Sequence, residues 1–250
     1  MRGLFVTGTD TEVGKSVVAA AICAALVARG ERVAAFKPAV TGLDEPPGEW
    51  PPDHHLLASF ASAGQSPEDV APYRFGPAVS PDQAAERAGT ALEPGRILAA
   101  AAQAAASADV LVVEGVGGVL VPLAPTYLVR DLALELRLPM VVASRPGLGT
   151  INHTLLTVEA LRAVGLEVAE IVLTPWRERA SRLERANRRS LERLAGVPVT
   201  ALPFTSTESL AAAGDALVST AAVTERRPRT REAADRPSAR VTACSVTPRA

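Results

Sequence analysis

The chain has 250 residues with a formal net charge of −1 at pH 7, and 48% of its residues are hydrophobic while only 4% are aromatic. This length fits one large domain or two small ones, and so few aromatic residues predict a core built mainly from alanine, valine and leucine. The near-neutral charge gives no support for binding to nucleic acid or to an anionic membrane surface, and two cysteines are too few for a disulfide framework.

Short apolar runs alternate with longer helical patterns along the chain. Strands are predicted at 3–7, 32–36, 109–113, 140–144 and 168–173. Helices are predicted at 15–29, 53–63, 95–107, 150–163, 178–195 and 207–217, with a further helix starting at Ser80 and Pro81. This alternation predicts an α/β fold, a mainly parallel twisted sheet with helices on both faces. Because ligands bind such sheets beyond the carboxyl ends of the strands, we expect functional residues directly after strands.

Two segments stand outside this alternation. Residues 43–52 include four prolines and are interpreted as a loop that is mobile over a site. From about residue 225, seven arginines stand against three acidic residues without periodicity, so we expect one domain at 1–224 and a basic, disordered tail at 225–250. The chain begins with a predicted strand rather than a signal peptide and has no apolar run long enough to span a membrane, which favours a cytoplasmic location.

Lysine is rare in this chain, since Lys15 and Lys37 are the only lysines among 26 basic residues. Arginine presents a planar fork of donors, whereas lysine presents a compact ammonium on a thin stem. Both lysines lie in glycine- or proline-marked motifs that follow predicted strands. This placement favours two positions that require a point charge over the alternative, a coding bias that left two lysines by chance.

The segment from Gly8 to Ser16 follows the first predicted strand and opens the first predicted helix, which is the setting of a phosphate-binding loop. In such loops glycines let backbone N–H groups surround phosphate oxygens, and the helix N-terminus favours negative charge. We therefore expect Lys15 to reach the β- and γ-phosphates of a nucleoside triphosphate and the Ser16 hydroxyl to bind Mg²⁺. Five residues separate Gly8 from Gly14, one more than in the general pattern.

Two acidic residues are candidates to complete a Mg²⁺ site, since this ion prefers oxygen ligands. Glu114 ends a predicted buried strand and precedes the glycine-rich run 115–118, which lets backbone approach phosphates closely. Asp53 begins a predicted helix, where a role as an ordinary N-cap is an equal alternative. His54 and His55 have no cysteine or histidine partner at ligand spacing, so we do not predict zinc.

Several motifs, taken in order along the chain, resemble those of the dethiobiotin synthetase family. They are 8–16 (GTDTEVGKS), 37–42 (KPAVTG), 53–57 (DHHLL), 72–75 (PYRF) with 80–81 (SP), 114–118 (EGVGG) and 149–153 (GTINH). The resemblance covers about residues 1–220 and implies a P-loop NTPase-like fold. It also accounts for the five-residue spacing, which is typical of that family's own phosphate loop.

The resemblance implies an ATP-dependent ligase of biotin synthesis that acts on 7,8-diaminopelargonic acid, CO₂ and ATP with Mg²⁺. CO₂ carbamylates one amine of the substrate, the carbamate oxygen attacks the γ-phosphate, and the neighbouring amine closes the cyclic urea with release of phosphate. The resemblance further implies a homodimer whose substrate lies between the subunits. The substrate carboxylate would then bind across the interface, at the N-terminus of the predicted helix 150–163.

The site residues of the family carry over to matching positions. Lys15 and Lys37 would be catalytic, the first for the transferring phosphoryl group and the second for the carbamate and phosphate together. The implied nucleotide-binding residues are Thr11, Glu12, Val13, Gly14, Lys15, Ser16, Asp53, Glu114, Gly115, Val116, Gly117, Thr174 and Pro175. The implied substrate-binding residues are Thr11, Glu12, Thr41, Gly149, Thr150 and Asn152, and the implied Mg²⁺ ligands are Ser16, Asp53 and Glu114. For Asn152, helix capping alone is an alternative.

Thr174 departs from the family pattern, because many relatives have an asparagine there that reads adenine. A single hydroxyl cannot make the two-directional contact of an amide, and we therefore hypothesise weak discrimination among ATP, CTP and GTP.

Two other functions were weighed against this one. A cobyrinate-synthase-like amidotransferase has a similar phosphate loop but needs a second domain with a nucleophilic cysteine, whereas Cys23 lies in a predicted helix and Cys244 in the tail. A partition-type ATPase switch carries a lysine early in its loop, whereas residues 7–10 here are TGTD.

Overall fold

The structure, a computed structural model, describes residues 2–46 and 48–220. Its strands are β1 (Arg2–Gly8), β2 (Val33–Phe36), β3 (Ala39–Val40), β4 (Tyr73–Arg74), β5 (Val110–Gly118), β6 (Pro122–Ala124), β7 (Tyr127–Leu128), β8 (Met140–Ser144), β9 (Val168–Trp176) and β10 (Val199–Pro203). Its helices are α1 (Lys15–Ala28), α2 (Asp53–Phe60), α3 (Pro67–Val70), α4 (Pro81–Arg87), α5 (Pro94–Ala106), α6 (Val129–Leu136), α7 (Thr150–Arg162), α8 (Arg182–Ala195) and α9 (Leu210–Thr220). The predicted boundary at 224 and the predicted tail at 225–250 lie outside the described residues.

The central sheet has six strands in the order β10-β9-β8-β1-β5-β2, and every pair of neighbours is parallel. Helices cover both faces, so the predicted α/β fold is confirmed. The chain leaves β1 in the middle of the sheet, between β5 and β8, where the strand order reverses direction. In open sheets of this kind the crevice for a ligand opens at that point, beyond the carboxyl ends of the strands.

The two faces of the sheet bury separate apolar clusters because neighbouring residues of a strand point to opposite sides. On β1, Leu4 and Val6 pack with α1, α2 and α9, while Phe5 packs on the other face with α4, α5, α6, α7 and α8. Alanine, valine and leucine make up most of both clusters, as the composition predicts. Strands buried on both faces explain why the parallel strands read as near-continuous apolar runs.

Helices α1 and α9 approach each other closely on one face. A methyl group placed at Gly214 of α9 would lie 2.0 Å from the carbonyl oxygen of Ala21 in α1, so only glycine fits at this crossing. Among the described residues, no helix is long and apolar enough to cross a membrane.

The structure differs from the predicted elements at three points. The strand predicted at 109–113 continues to Gly118, because its pairing with β1 runs on to Gly8 and Gly118, and Glu114 therefore lies inside β5 rather than at its end. Helix α8 starts at Arg182 instead of 178, since a capping box on Ser181 fixes its first turn. Strand β10 was not predicted, because its short run ends in a proline and has a polar residue in its second position.

The first part of the 43–52 loop is held in place. The backbone N–H groups of Gly42, Leu43 and Asp44 donate hydrogen bonds of 3.0–3.2 Å to carbonyl groups of residues 75–77. The Asp44 carboxylate fills the space above Gly76, where a methyl group would lie within 2.5 Å of both its oxygens. Mobility over a site therefore remains a prediction only for the part of this loop that follows Asp44.

Candidate active site

The phosphate loop connects the central strand β1 to α1. Its backbone takes the left-handed conformation at Glu12 and at Gly14, with φ angles of 55° and 85°. The N–H of Thr9 donates to the carbonyl of Ala143 over 3.0 Å, which ties the loop to the neighbouring strand β8. Helix α1 begins at Lys15 without a side-chain cap, so the loop presents uncapped N–H groups at a helix N-terminus, as anion binding requires.

The glycine-rich end of β5 lies against this loop. Gly118 pairs with Gly8, and a methyl group at Gly117 would come within 2.8 Å of Val121 and 3.8 Å of the Thr11 hydroxyl. Gly117 also has a positive φ of 58°. The glycines thus allow two backbone segments to approach each other beside the place where phosphate is expected.

Four side chains from four elements meet next to the loop. Ser16 at the start of α1 donates from Oγ to Asp53 Oδ1 over 2.7 Å and lies 2.9 Å from Glu114 Oε1. Lys37, which directly follows β2, donates from Nζ to Glu114 Oε1 over 2.5 Å and to Asp53 Oδ2. A hydroxyl has a single hydrogen, so the Ser16 Oγ–Glu114 contact competes with the bond to Asp53. Their convergence follows from the topology, since β1, β2 and β5 end at the same edge of the sheet.

The charges in this cluster are strongly coupled. Glu114 is fully buried, and burial raises the pKa of its carboxyl above the ordinary value although the Lys37 ammonium opposes this. Burial would lower the pKa of Lys37, but Asp53 and Glu114 together outweigh it and raise that pKa. The pKa of Asp53 is lowered, because the ammonium of Lys37 outweighs the effect of its burial. Lys37 is therefore a firmly charged ammonium held between two carboxylates.

Lys15 occupies the same pocket in a different state. Its Nζ donates to the backbone carbonyl of Asp10 over 2.8 Å and makes no ion pair within 4.0 Å in the described part of the chain. Burial, followed by repulsion from Lys37, lowers the pKa of Lys15 to about 8. The two lysines thus lie close enough to repel each other, which requires an anion between or beside them to relieve the repulsion.

The residues around Ser16 fit a hard divalent cation. The second carboxylate oxygen of Glu114, Oε2, is buried without a hydrogen-bond partner, which leaves an acceptor for a metal or its water. A serine hydroxyl and two carboxylates are oxygen ligands of the kind that Mg²⁺ prefers. No group of three or more His, Cys, Asp or Glu side chains is arranged around a metal position in residues 2–46 and 48–220. A cation here would therefore need further oxygens from phosphate and water.

The predicted substrate residues lie on three sides of this pocket. Thr11 and Glu12 are exposed on the loop, and Thr41 is half-buried beyond β3. Arg145, which sequence reasoning missed, donates from Nη2 to the carbonyl of Glu12 over 3.0 Å. Its position directly after β8 was the available signal, since residues after strands point to this edge of the sheet.

The N-terminus of α7 forms the far end of the site. Gly149 has a positive φ of 91° and Thr150 begins the helix, while Asn152 is exposed. These residues border a groove of about 520 Å³ that is otherwise largely apolar. Leu148 and Leu156 in this groove are 91% and 55% exposed, far more than leucines of the core.

Thr174 lies beneath the phosphate loop instead of open to solvent. It is buried, and a methyl group at Gly14 would come within 2.7 Å of its Cγ2 atom. The Thr174–Pro175 peptide bond is cis, and Pro175 is exposed. Val13 is buried, while Val116 and Gly115 belong to β5 beside the loop. Thr174 thus supports the loop from below, a contact that the sequence did not reveal.

The comparisons with known proteins fit this geometry. Residues 2–206 match the family model described as an AAA domain. The chain is 36% identical over 199 residues to the ATP-dependent dethiobiotin synthetase BioD of Bacillus subtilis strain 168, covering 80% of this chain and 85% of that protein. It is 47% identical over 173 residues to the protein of the same name from Anaeromyxobacter dehalogenans strain 2CP-1, covering 69% and 76%. It is 37% identical over 201 residues to that of Anoxybacillus flavithermus, covering 80% and 90%.

Proposed function

The chain belongs to the dethiobiotin synthetase family, and from that premise we propose how its residues carry out the ATP-dependent synthesis of dethiobiotin from 7,8-diaminopelargonic acid and CO₂. The chain is thus a ligase with ATP as co-substrate. The observation that carries the detailed proposal is the cluster of Ser16, Lys37, Asp53 and Glu114 beside the phosphate loop.

The nucleotide binds with its phosphates over the loop. Backbone N–H groups of residues 11–16 surround the β- and γ-phosphates, and the ammonium of Lys15 turns from the Asp10 carbonyl to the γ-phosphate. The negative phosphates raise the pKa of Lys15 again, because they remove the repulsion that now lowers it. Glu114 to Gly117 flank the phosphates, and Thr174 and Pro175 lie towards the base.

Ser16, Asp53 and Glu114 hold Mg²⁺ in this proposal. The ion supplies charge neutralisation on the β- and γ-phosphate oxygens, which phosphoryl transfer requires. The unpartnered Oε2 of Glu114 supports this assignment. In the ligand-free chain the Lys37 ammonium balances the same two carboxylates.

The reaction uses the two lysines in succession. One amine of the diamine adds to CO₂ and loses a proton to give a carbamate, whose oxygen attacks the γ-phosphorus while ADP leaves. The second amine then attacks the carbamate carbon, the C–O bond to phosphate breaks, and loss of a proton yields the cyclic urea. Lys15 stabilises the transferring phosphoryl group, and Lys37 balances carbamate and phosphate. Thr11, Glu12 and Thr41 orient the diamine.

A second copy of the chain completes the site. The exposed leucines of the α7 groove, Leu148 and Leu156, provide an apolar face suited to a homodimer. Gly149, Thr150 and Asn152 at the N-terminus of that helix then bind the substrate carboxylate of the neighbouring active site, because a helix N-terminus attracts anions. The location in the cytoplasm is part of the same proposal, since the three substrates are metabolites rather than secreted compounds.

The rival functions find less support. An amidotransferase would need an exposed nucleophilic thiol, but Cys23 is fully buried and burial raises the pKa of its thiol to about 12. A partition-type switch would not require the substrate groove and would turn over ATP without the diamine. The relatives compared above carry the name of a synthetase.

Product formation tests the proposal. Purified full-length chain is incubated with the diamine, bicarbonate, Mg²⁺ and ATP, and dethiobiotin is measured by mass spectrometry. We expect dethiobiotin only in the complete mixture, with one phosphate released per product. ATP hydrolysis at the same rate without the diamine would favour the switch and would overturn the proposal. Replacing ATP by CTP or GTP in the same assay tests the hypothesis that Thr174 leaves base selectivity weak.

A further inference from the structure

Buried hydroxyl groups join the phosphate loop to the N-terminus of α7. Ser144, the last residue of β8, is 1% exposed, and its Oγ lies 2.9 Å from Thr150 Oγ1 and 2.9 Å from Thr154 Oγ1. Thr9 of the phosphate loop donates to the same oxygen over 3.3 Å. Thr150 and Thr154 are 5% and 0% exposed, so water cannot replace these partners.

The hydrogen of each hydroxyl can be assigned by counting partners. A hydroxyl has one hydrogen and two acceptor positions. Thr154 and Thr9 both donate to Ser144. The only remaining acceptor for the buried Ser144 hydrogen, among the contacts of the described residues, is Thr150 Oγ1, and a buried donor needs a partner. Ser144 therefore donates to Thr150.

This assignment leaves the hydrogen of Thr150 available. Its nearest hydroxyl acceptor is Thr154 Oγ1 at 3.4 Å, which is too long for a good O–H···O bond. Thr150 is also the first residue of α7, beside Gly149 and the groove. Its hydroxyl is thus turned into a donor at the place where the substrate carboxylate is expected.

We propose that Ser144 is a positioning residue that, through its hydrogen bond to Thr150, directs the Thr150 hydroxyl as a donor to the substrate carboxylate. This inference rests on the proposed function, because it needs a carboxylate at the N-terminus of α7. Neither the family resemblance nor the relatives assign a role to Ser144. A role in packing alone is the competing explanation, since a small buried side chain at a strand end fills space in any case.

Steady-state kinetics with the acid substrate and its methyl ester separates these explanations. Ser144→Ala is expected to raise KM for 7,8-diaminopelargonic acid about tenfold, the size of one lost bond to a charged group, while kcat and KM for ATP change little. The same variant should leave KM for the neutral ester unchanged, because the ester cannot accept the charge-assisted bond. An equal rise for acid and ester would show a packing role and overturn the proposal.

Three further variants sharpen the result. Thr150→Val should raise KM for the acid at least as much as Ser144→Ala, and the double variant should add nothing, because one residue acts through the other. Thr150→Ser keeps the hydroxyl and should behave like the wild type. Thr157→Val is the matched control, since this buried hydroxyl donates only to the carbonyl of His153 in its own helix. Additive effects of the two single changes would contradict the proposal.

The outcomes for the wild type keep the two proposals apart. If the wild type makes dethiobiotin and prefers the acid to the ester, the carboxylate site stands and the variants decide on Ser144. If it uses acid and ester equally well, the carboxylate site at α7 falls and the role of Ser144 falls with it. If it makes no dethiobiotin from either compound, the proposed function itself fails.

Discussion

Lys37 is the residue on which the chemistry of this site depends most. Its ammonium is 3% exposed and lies between Asp53 and Glu114, at the end of a side chain that few other residues could imitate. An ammonium is compact, whereas a guanidinium is a wide planar fork. The near-absence of lysine elsewhere in the chain is consistent with a requirement for this shape.

Replacing Lys37 by arginine tests that requirement. We expect Lys37→Arg to lose more than about 2 kcal/mol of transition-state stabilisation, by analogy with the removal of a single electrostatic donor. The reason is that the larger group cannot keep both carboxylate contacts in an enclosed site. The ratio kcat/KM from a phosphate-release assay gives the loss, with thermal unfolding as a check that the variant folds. Turnover close to that of the wild type would refute the argument.

Lys37 and a divalent cation compete for the same carboxylates. Lys37→Met should therefore bind Mn²⁺, measured without nucleotide by electron paramagnetic resonance, about tenfold more tightly than the wild type, because two carboxylates lose their bonded cation. Lys15→Met is the matched control: it removes one positive charge from the pocket but no bond to Asp53 or Glu114. Equal affinities of the two variants would show that only the general charge matters, and weaker binding by Lys37→Met would exclude the competition.

Among the elements, β9 carries a buried acid that the reaction does not use. Glu170 is fully buried beside β8, and burial raises the pKa of its carboxyl to about 7, with a weaker opposing effect from the Thr200 hydroxyl. An acid whose pKa is higher in the folded than in the unfolded state binds more protons when folded. Stability then falls as pH rises between the unfolded pKa and about 7.

The pH dependence gives a prediction for Glu170→Gln. At pH 5 the variant and the wild type should have nearly the same free energy of unfolding, because the wild-type carboxyl is mostly protonated in the folded state. At pH 8 the variant should be more stable by about 1–3 kcal/mol, since no buried carboxylate has to form. Denaturant unfolding at both pH values measures the difference. A variant that is less stable at pH 8 would mean that Glu170 has a partner worth more than its burial costs.

The crossing of α1 and α9 allows a second prediction about elements. Gly214→Ala should lower the free energy of unfolding by about 1–3 kcal/mol, because its methyl group would meet the Ala21 carbonyl oxygen at 2.0 Å and force the helices apart. Gly95→Ala in α5 serves as the control, since nothing lies within 4 Å of the added methyl group there, and alanine favours a helix. A neutral Gly214→Ala would show that the two helices separate freely.

Patterns along the sequence predicted most elements but fewer of their contacts. Five of the six strands of the central sheet were predicted, because strands buried on both faces leave continuous apolar runs. The sixth, β10, was missed because its run is short and mixed. Lys37, Asp53 and Glu114 were recognised one by one as motif residues, yet their contacts depend on which strands are neighbours, and sequence alone does not give strand order.

Other parts of the site left no recognisable pattern. The hydroxyl cluster around Ser144 joins residues 9, 144, 150 and 154, and serine or threonine at such distances is common in any sequence. The support that Thr174 gives to Gly14 likewise depends on the close approach of β9 to the loop. Contacts of this kind follow from the fold, so they become visible only in three dimensions.

For the molecule as a whole, the α7 groove predicts an assembly. Leu156→Glu should convert a homodimer into monomers and raise KM for the diamine, because a charge in the apolar groove opposes burial and the carboxylate site would lose its neighbour. Light scattering after size exclusion gives the mass. Leu194→Glu on α8 is the matched control, since Leu194 and Leu156 are 53% and 55% exposed. An active, monomeric wild type would contradict the assembly.

The fate of the carbamate oxygen tests the central claim most directly. The proposed reaction forms a bond between this oxygen and the γ-phosphorus and later breaks the bond to carbon, so the oxygen leaves with phosphate. With ¹⁸O-labelled bicarbonate and a rapid quench, mass spectrometry should find ¹⁸O in the released phosphate in step with dethiobiotin, and neither product with Lys37→Met. Phosphate free of ¹⁸O, at a time when dethiobiotin has formed and the bicarbonate is still labelled, would contradict the account.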